Sequence, residues 1–395
     1  MKRADRLQAL DGLRGIAILL VVWFHVWQIS WLPAPLPALQ FLPETGFSGV
    51  TLFFFLSGFV ISYPFLLARA RGTAPPGWRH FASRRSIKIV PSYVLSIAVL
   101  IAVGYAHFSS PSQAFGAIAT HLLFVHTWFA STYGSINGVL WTLAVEVQFY
   151  LLFPLIWFCF NRTPALTAGA MIALALGYRI YAARCCLHTF APQMFDNLPG
   201  YLDIFAIGML AALTFVSLEP RAGTFAWRAG GLVAAGAGIV LFCLLSQNLY
   251  ASRHMDMWDT AWQTVNRTWW GAAFSLVAAG TLLAAPWWQR TVGNPLFVFF
   301  GFISYNWYLY HQAVARELLA VRIPPYATSN AVNDPHWQVA FTVIAFGASL
   351  LFAAAVTIFF ERPLMRLGRI RKGAISSKRS SGGRASRIRP PGSAC

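Results

Sequence analysis

About ten apolar stretches follow one another along this chain, each close to the length of a transmembrane helix. A helix needs about 20 residues to cross a hydrocarbon core about 30 Å thick. The apolar runs are continuous and lack the two-residue alternation of a membrane barrel. The pattern therefore predicts an all-α, polytopic membrane bundle of about ten helices. The predicted spans are 13–31, 46–67, 89–106, 140–160, 166–182, 200–218, 229–247, 267–285, 294–318 and 337–360.

Composition supports the membrane assignment and excludes a soluble domain. Hydrophobic residues make up 57% of the chain, charged residues 11%, and the mean hydropathy is +0.57. The net charge of +18 could suggest nucleic acid, but nine basic residues and no acidic ones lie between Arg366 and Arg389. The other basic residues are spread over the loops, which indicates membrane topology and no nucleic-acid partner. The five scattered cysteines suggest neither a metal site nor a disulfide framework.

The basic residues also predict the orientation of the chain. If the N-terminus is cytoplasmic, the basic loops and the basic tail fall on the same side, so both termini are cytoplasmic and the protein belongs in the inner (plasma) membrane. We expect no cleaved signal, a membrane domain over 1–365 and a disordered basic tail over 366–395 resting on anionic lipid. Segment 115–130, which carries His121 and His126, would invert every later loop if it crossed. It is predicted to be re-entrant or peripheral.

The first apolar stretch carries an arginine and a histidine eleven residues apart, Arg14 and His25. At about 100° per residue the two side chains share one helix face, roughly 16 Å apart along the axis. An arginine at the membrane edge suits a phosphate or carboxylate, Asp11 could orient its guanidinium, and a buried histidine suits a general base. The alternative is that Arg14 reaches the interface and His25 makes a structural hydrogen bond.

Acidic and aromatic residues inside later helices form a second set of candidates. Glu146 lies in an apolar helix that begins near Trp141, and a carboxylate there requires a cation or a substrate hydroxyl. Asp203 is predicted to share the outer half of the membrane with it. Tyr308 and His311 lie one turn apart on one face and could line the same cavity.

Three cations, Arg84, Arg85 and Lys88, lie at the mouth of the third predicted helix. They could hold a nucleotide phosphate or only fix topology. The small pair Ser57-Gly58 within an aromatic helix is most simply explained by close helix packing. Glu361-Arg362-Pro363 at the end of the last helix is interpreted as mainly structural.

Taken together and in this order, these segments resemble the acyltransferase type 3 family of bacterial membrane O-acyltransferases. The resemblance runs from about Leu10 to Pro363 and includes the Arg14-to-His25 spacing, Phe53–Phe59, Arg84–Pro91, Trp141–Tyr150, Asp203–Gly208 and Ser304–His311. It implies a ten-helix enzyme that takes an acyl group, commonly acetyl, from acetyl-CoA at the cytoplasmic side. The acceptor would be a hydroxyl of a carbohydrate, glycolipid or macrolide-like molecule of the cell envelope.

The resemblance assigns roles to the candidates. Arg14 matches the family's functional arginine and His25 its histidine. Arg14, Arg84, Arg85 and Lys88 would hold the CoA phosphates, with no permanently bound cofactor and no metal. His25 and Glu146 would be catalytic, and Asp11, Trp141, Asp203, Tyr308 and His311 would bind substrate. Direct transfer and an acyl-histidine intermediate both remain open.

This sequence departs from the family pattern at two points, and two other functions compete with acyl transfer. Relatives often carry an arginine just before the position of Asp203, where this chain has Tyr201, and many carry a C-terminal esterase-like domain that is not seen in this sequence. The runner-up function is a ten-helix transporter or exporter of a small solute or lipid-linked sugar. Against it, paired halves with broken helices are not visible. A flippase or structural partner would not require Arg14 and His25 on one face.

Overall fold

The computed structural model describes residues 3–185, 192–253, 260–326 and 331–366, and these are helical, with no β-strand among them. Their α-helices are α1 (Arg3–Ser30), α2 (Phe41–Glu44), α3 (Ser48–Ala70), α4 (Trp78–Ala102), α5 (Pro111–Leu122), α6 (Trp141–Arg162), α7 (Pro164–Cys185), α8 (Pro192–Phe195), α9 (Leu202–Leu218), α10 (Phe225–Arg253), α11 (Thr260–Leu283), α12 (Pro286–Val292), α13 (Pro295–Ala320) and α14 (Pro335–Ala355). A π-helical turn, Val356–Glu361, continues α14.

Eight of the described helices are long and apolar enough to cross a membrane, which confirms the all-α, multi-pass membrane fold. They are α1, α3, α4, α6, α7, α9, α10 and α14, with adjoining turns. The two other predicted spans coincide with α11 and α13, which are 24 and 26 residues long. Both carry polar side chains that face the protein interior, among them Arg267 on α11 and Asn306 and His311 on α13.

The segment predicted to be re-entrant or peripheral is not a membrane span. It forms the 12-residue helix α5 and the short 3-10 turn His126–Trp128. Twelve helical residues extend about 18 Å, too little to cross a bilayer core. Phe115 at 76% exposure and Leu123 at 70% present apolar surface, whereas His121 and His126 are buried and stacked 3.8 Å apart. The short helix explains why two histidines occur in an apolar stretch without a span around them.

Glycines let α1 and α13 pack side by side with their chains running in the same direction. A Cβ atom on Gly15 would lie 2.0 Å from the carbonyl oxygen of Phe297, and one on Gly301 would lie 2.1 Å from that of Asp11. Further along both helices, His25 meets His311. Small residues permit such close approach of backbones in membrane bundles. Glycines also bring α3 and α9 close together: Gly58 of α3 packs against α9, and Gly208 of α9 packs against α3.

Glu361 ties three helices together at one end of the bundle. It forms an ion pair with Lys88 of α4, and its Oε2 accepts a hydrogen bond from Asn306 Nδ2 of α13 at 2.7 Å. The π-helical turn gives α14 an irregular end at this point, as such turns often do near functional regions. The structural role predicted for this segment agrees with these contacts. The tail predicted to be disordered lies outside the described residues from residue 367 onward.

Candidate active site

A cavity opens between α1, α3, α4, α6 and α13. The side chains that line it include two cations, a carboxylate, hydroxyls and aromatic rings: Arg14, Val50, Phe53, Phe54, Leu56, Ser57, Val60, Arg85, Thr142, Leu143, Glu146, Ser304, Tyr305 and Tyr308. Residues from the separate predicted motifs therefore meet at one place, although Arg14 and Tyr308 are 294 positions apart in the chain.

Arg14 and Arg85 form the basic end of the cavity. Both are half-buried, and the guanidinium of Arg85 lies 5.2 Å from the centre of the Tyr150 ring. Lys88 lies one turn from Arg85 but is paired with Glu361 and stands 5.5 Å from the centre of the Tyr305 ring. Arg84 is exposed and does not line the cavity. Of the three predicted cations of α4, only Arg85 reaches the cavity.

Glu146 lines the cavity and is held by two hydroxyls. Ser57 Oγ donates a hydrogen bond to Glu146 Oε1 at 2.6 Å, and Tyr150 Oη donates to the same oxygen. Glu146 Oε2 is not engaged in either of these bonds. A carboxylate held in this way is aimed at the cavity and presents an acceptor oxygen to a bound hydroxyl. Ser57, interpreted from sequence as a packing residue, is therefore also a cavity residue.

His25 and His311 form a hydrogen-bonded pair beyond Tyr308. The Nδ1 atom of His25 lies 3.1 Å from Nε2 of His311, and the centres of the two rings are 4.8 Å apart. His311 is completely buried, whereas His25 retains partial exposure. The ring of Tyr308, which lines the cavity, is 5.7 Å from that of His311. Neither histidine lines the cavity: His311 lies behind the Tyr308 ring, and His25 is the partly exposed member of the pair.

Backbone carbonyls determine which nitrogen carries the proton in each ring. His311 Nδ1 lies 2.8 Å from the carbonyl oxygen of Tyr308, and His25 Nδ1 lies 2.9 Å from that of Val21. Carbonyl oxygens only accept hydrogen bonds, so both Nδ1 atoms are donors in the neutral rings. His25 Nδ1 carries one proton, so the Val21 carbonyl oxygen and His311 Nε2 share it in a bifurcated hydrogen bond. His25 Nε2 is left with a free lone pair, the state that a general base requires.

The remaining predicted site residues take different positions. The Trp141 ring lies 5.6 Å from that of Tyr201 and 6.1 Å from that of Phe54, which lines the cavity. Asp11 is exposed and interacts electrostatically with Arg14, as expected from their spacing. Neither Trp141 nor Asp11 lines the cavity itself.

Asp203 is placed away from the cavity, in a buried ion pair. Arg179 Nη2 donates to Asp203 Oδ2 at 2.8 Å, and Thr268 Oγ1 donates to the same oxygen at 2.5 Å. Both charged residues are completely buried. Protein donors occupy both oxygens of Asp203, so a substrate-binding role for it stays a prediction that this geometry does not favour. Many relatives have an arginine where this chain has Tyr201, and Arg179 of α7 supplies a cation to Asp203 here instead. Nothing local in the sequence indicates this pairing.

Several side chains in or near the cavity carry weak or no sequence signals. Tyr150, Tyr305 and Thr142 lie within noted motifs, but tyrosine and threonine are too common in membrane helices to stand out. Asp196 and Tyr133 come from loops without periodicity, although a carboxylate between two apolar stretches is a signal that could have been weighed. Among the described residues, no group of three or more histidine, cysteine, aspartate or glutamate side chains could hold a metal ion.

The fold and the cavity define a multi-pass membrane protein with an internal site that combines cations, a carboxylate and a histidine pair. The family model described as "Acyltransferase domain" matches residues 7–358. The chain belongs to this family and is an acyltransferase enzyme, as the resemblance predicted. Membership of this family does not support the alternative function, a transporter.

Three relatives are similar to this chain. Peptidoglycan O-acetyltransferase OatA of Listeria monocytogenes is 28% identical over 195 residues, 45% of this chain and 29% of the relative. Nodulation protein 10 of Rhizobium leguminosarum is 25% identical over 332 residues, 79% of this chain and 83% of the relative. Acyltransferase MdmB of Streptomyces mycarofaciens is 32% identical over 163 residues, 40% of each chain. The match therefore spans less than a third of the Listeria protein. No solved structure is significantly similar to this chain.

Proposed function

We propose that the protein is a membrane O-acyltransferase that moves an acyl group, most simply acetyl, from acyl-CoA to a hydroxyl of a cell-envelope carbohydrate or glycoconjugate. The observation that supports this most is the position of His25 Nδ1, 2.9 Å from the Val21 carbonyl oxygen and 3.1 Å from His311 Nε2. With the proton of the neutral ring on Nδ1, His25 Nε2 is unprotonated and can accept a proton from a hydroxyl. The name of the Listeria relative, a peptidoglycan O-acetyltransferase, is consistent with a carbohydrate acceptor.

We propose ten membrane spans, with both termini cytoplasmic and the protein in the inner membrane. Two further spans, α11 and α13, are added to the eight apolar ones because of their packing. α13 runs parallel to α1 over the stretch from Gly15 to His25, and α11 packs antiparallel to α10 through Gly231 and Gly280. A helix that packs along a span over this length lies at the same depth in the bilayer. An even number of spans returns the basic tail to the side of the N-terminus.

The donor would bind at the basic end of the cavity. CoA carries phosphates, which guanidinium groups bind in a bidentate manner, so Arg14 and Arg85 are its proposed ligands. Arg84, exposed on the same helix, is placed to attract the anion from the cytoplasm. Lys88 has Glu361 as its partner, so we propose for it a supporting role near the donor rather than direct phosphate binding.

In direct transfer, His25 Nε2 accepts the proton of the acceptor hydroxyl as its oxygen attacks the thioester carbonyl. The new C–O bond forms, the C–S bond breaks, and the CoA sulfur leaves with the proton that His25 then returns. His311 Nε2 accepts a charge-assisted hydrogen bond from His25 while His25 is protonated. Glu146 orients the acceptor hydroxyl from the cavity side. An acyl-histidine route would use the same residues, with His25 Nε2 as the nucleophile.

The test is transfer from radiolabelled acetyl-CoA by the purified protein in proteoliposomes that contain cell-envelope lipid and glycan. We expect label in the lipid or glycan fraction from the wild type. Glu146→Gln should lower transfer about 100-fold, because the acceptor hydroxyl is no longer oriented. Arg14→Gln should lower transfer through weaker acetyl-CoA binding. Arg71→Gln, on an exposed turn, is the matched control. Wild-type protein that neither binds acetyl-CoA nor transfers label would overturn the proposal.

A further inference from the structure

A second polar cluster, made by Asp196, Tyr133, Tyr201 and Arg267, lies outside the proposed catalytic machinery. Tyr133 Oη donates to Asp196 Oδ2 at 2.5 Å, and Tyr201 Oη donates to Asp196 Oδ1 at 3.4 Å. Asp196 is the residue after α8 and is half-buried. Two residues distant in sequence, Tyr133 and Arg267, and the neighbouring Tyr201 therefore surround one carboxylate that the transfer chemistry does not use. We call this group the Asp196 cluster.

Arg267 provides positive charge near this carboxylate without neutralising it by direct contact. The guanidinium, on a residue only 5% exposed, lies 4.3 Å from the centre of the Tyr201 ring. Its Nη1 and Nη2 donate to the Phe195 carbonyl and to Gln263 Oε1, each at 3.3 Å. Arg267 and Asp196 interact electrostatically, but they are not among the direct ion pairs of the described residues. The carboxylate therefore keeps hydrogen-bonding capacity for a further donor.

The Asp196 cluster begins where the cavity ends. Tyr308, which lines the cavity, interacts electrostatically with Asp196, Tyr133 and Tyr201. The ring of Tyr201 also packs against Phe54 of the cavity wall at 4.8 Å and lies beside Trp141. The cluster is thus on the Tyr308 side, the end far from Arg14 and Arg85. A molecule held there would face the donor across the catalytic residues.

The chemistry of the cluster suits a neutral sugar. An anion would be repelled by Asp196, and a purely apolar ligand would leave its carboxylate without a donor. A carboxylate and two phenol groups accept and donate to ring hydroxyls, while the partly exposed Trp141 offers a flat apolar face to the C–H side of a sugar ring. Burial raises the pKa of the Asp196 carboxyl to about 6. The hydrogen bond from Tyr133 lowers this pKa, but its effect is smaller than that of burial. Near pH 7 the group is charged and accepts hydrogen bonds from hydroxyls.

We propose that Asp196, Tyr133 and Trp141 form the acceptor subsite and bind a neutral sugar ring of the acceptor. This inference rests on the proposed function, because it assigns the acceptor end of the same site. Asp196 takes over the role that the sequence suggested for Asp203. The hydrogen bond from Tyr133 holds the carboxylate in place, and Trp141 packs against the ring.

The test measures oligosaccharide binding directly, by calorimetry on the purified protein in detergent. The probes are chitotetraose, cellotetraose and maltotetraose, with acetyl-CoA as a separate titrant. We expect the wild type to bind at least one tetrasaccharide, and Asp196→Asn to weaken that binding about tenfold or more because a charged acceptor is lost. Tyr133→Phe should weaken it less. Asp334→Asn, an exposed helix cap that asparagine can replace, is the matched control.

The acetyl-CoA titration separates failure of this inference from failure of the proposed function. In the proposal, Asp196→Asn leaves the affinity for acetyl-CoA within twofold of the wild type, because the donor binds at the other end. Wild-type protein that binds acetyl-CoA but none of the tetrasaccharides would overturn the sugar subsite alone. Equal tetrasaccharide binding by wild type, Asp196→Asn and Tyr133→Phe would overturn it too. Tetrasaccharide binding without acetyl-CoA binding would instead contradict the proposed donor.

Discussion

Arg179 of α7 binds Asp203 of α9 through two nitrogens, Nη1 at 3.1 Å from Oδ1 and Nη2 at 2.8 Å from Oδ2, with both residues fully buried. The remaining Arg179 donor, Nε, reaches the Thr264 carbonyl of α11 at 2.9 Å, and Nη1 also reaches the Gly200 carbonyl at 2.7 Å. Every charged group of the pair has a partner, which is the condition for ions to persist in a protein interior. The pair joins α7, α9 and α11 behind the aromatic wall of the cavity.

Removal of one partner of this pair should destabilise the bundle strongly. Asp203→Asn or Arg179→Gln leaves the other charge without its counterion, which costs about 3–5 kcal/mol for a buried pair. We expect a clear fall in the thermal unfolding temperature in detergent, with acetyl-CoA affinity preserved in the fraction that folds. Arg71→Gln, on an exposed arginine, should leave the unfolding temperature unchanged. If Asp203→Asn is as stable as the wild type but loses acceptor binding, Asp203 is a substrate ligand after all.

The histidine pair predicts different effects for two substitutions of His311. His311→Gln keeps an oxygen that can accept the hydrogen bond from His25 Nδ1, whereas His311→Leu removes the acceptor. We expect kcat to fall about 100-fold in the leucine variant and much less in the glutamine variant, with the KM for acetyl-CoA unchanged in both. His336→Leu, an exposed histidine at the start of α14, is the control. Equal kcat values for the two His311 variants would contradict the positioning role.

The contact between α1 and α13 predicts that a single methyl group impairs the enzyme. In Gly15→Ala, the added Cβ would lie 2.0 Å from the Phe297 carbonyl oxygen, so the helices must separate. Because His25 and His311 lie on these two helices, their hydrogen bond should lengthen and transfer activity should fall together with thermal stability. Gly347→Ala, whose Cβ would meet open space, should be neutral or more stable by up to about 1 kcal/mol. Full activity of Gly15→Ala would show that the helices tolerate separation.

Asp196 predicts a dependence of stability on pH. Burial raises the pKa of its carboxyl from 3.8 to about 6, so the folded state favours the protonated form. Protonated Asp196 therefore adds to the free energy of unfolding, fully below pH 3.8, and this contribution is lost as the pH rises through 6. Asp196→Asn should therefore unfold at a higher temperature than the wild type at pH 7.5, and the difference should shrink toward pH 4.5. The check is thermal unfolding of both proteins across this pH range. An identical temperature difference at every pH would show that the carboxyl is not perturbed.

Much of the fold follows from the sequence because long apolar runs require helices in a bilayer. The predicted 140–160 became α6 (Trp141–Arg162), and the predicted 294–318 became α13 (Pro295–Ala320). Partner helices could not be predicted in the same way. The parallel packing of α1 with α13 depends on where small residues bring backbones together, and nothing local in the sequence indicates that Gly15 faces Phe297.

Site residues could be predicted from the sequence only where an ionisable side chain lies in an apolar helix, because such a side chain is costly in a membrane unless it has a partner or a function. Glu146 and His25 stand out because a carboxylate or an imidazole in an apolar helix needs a partner. The identity of the partner depends on the tertiary structure. Asp203 also lies in an apolar helix, but its partner is the protein's own Arg179, 24 positions earlier in the chain. Lys88 likewise has Glu361, 273 positions away. Asp196 lies in a loop, where a carboxylate is ordinary, and only the structure places it beside Tyr133 and Tyr308.

The role of His25 as proton acceptor is tested most directly by the initial rate of CoA release from acetyl-CoA in the presence of cell-envelope acceptor, for the wild type and for His25→Gln. We predict that His25→Gln lowers this rate about 100-fold or more at equal expression and equal acetyl-CoA affinity, because only the proton acceptor is lost. Gln28→Ala, on an exposed position of the same helix, should match the wild type. Wild-type rates in His25→Gln would contradict the account, since no other described residue is assigned to remove the hydroxyl proton.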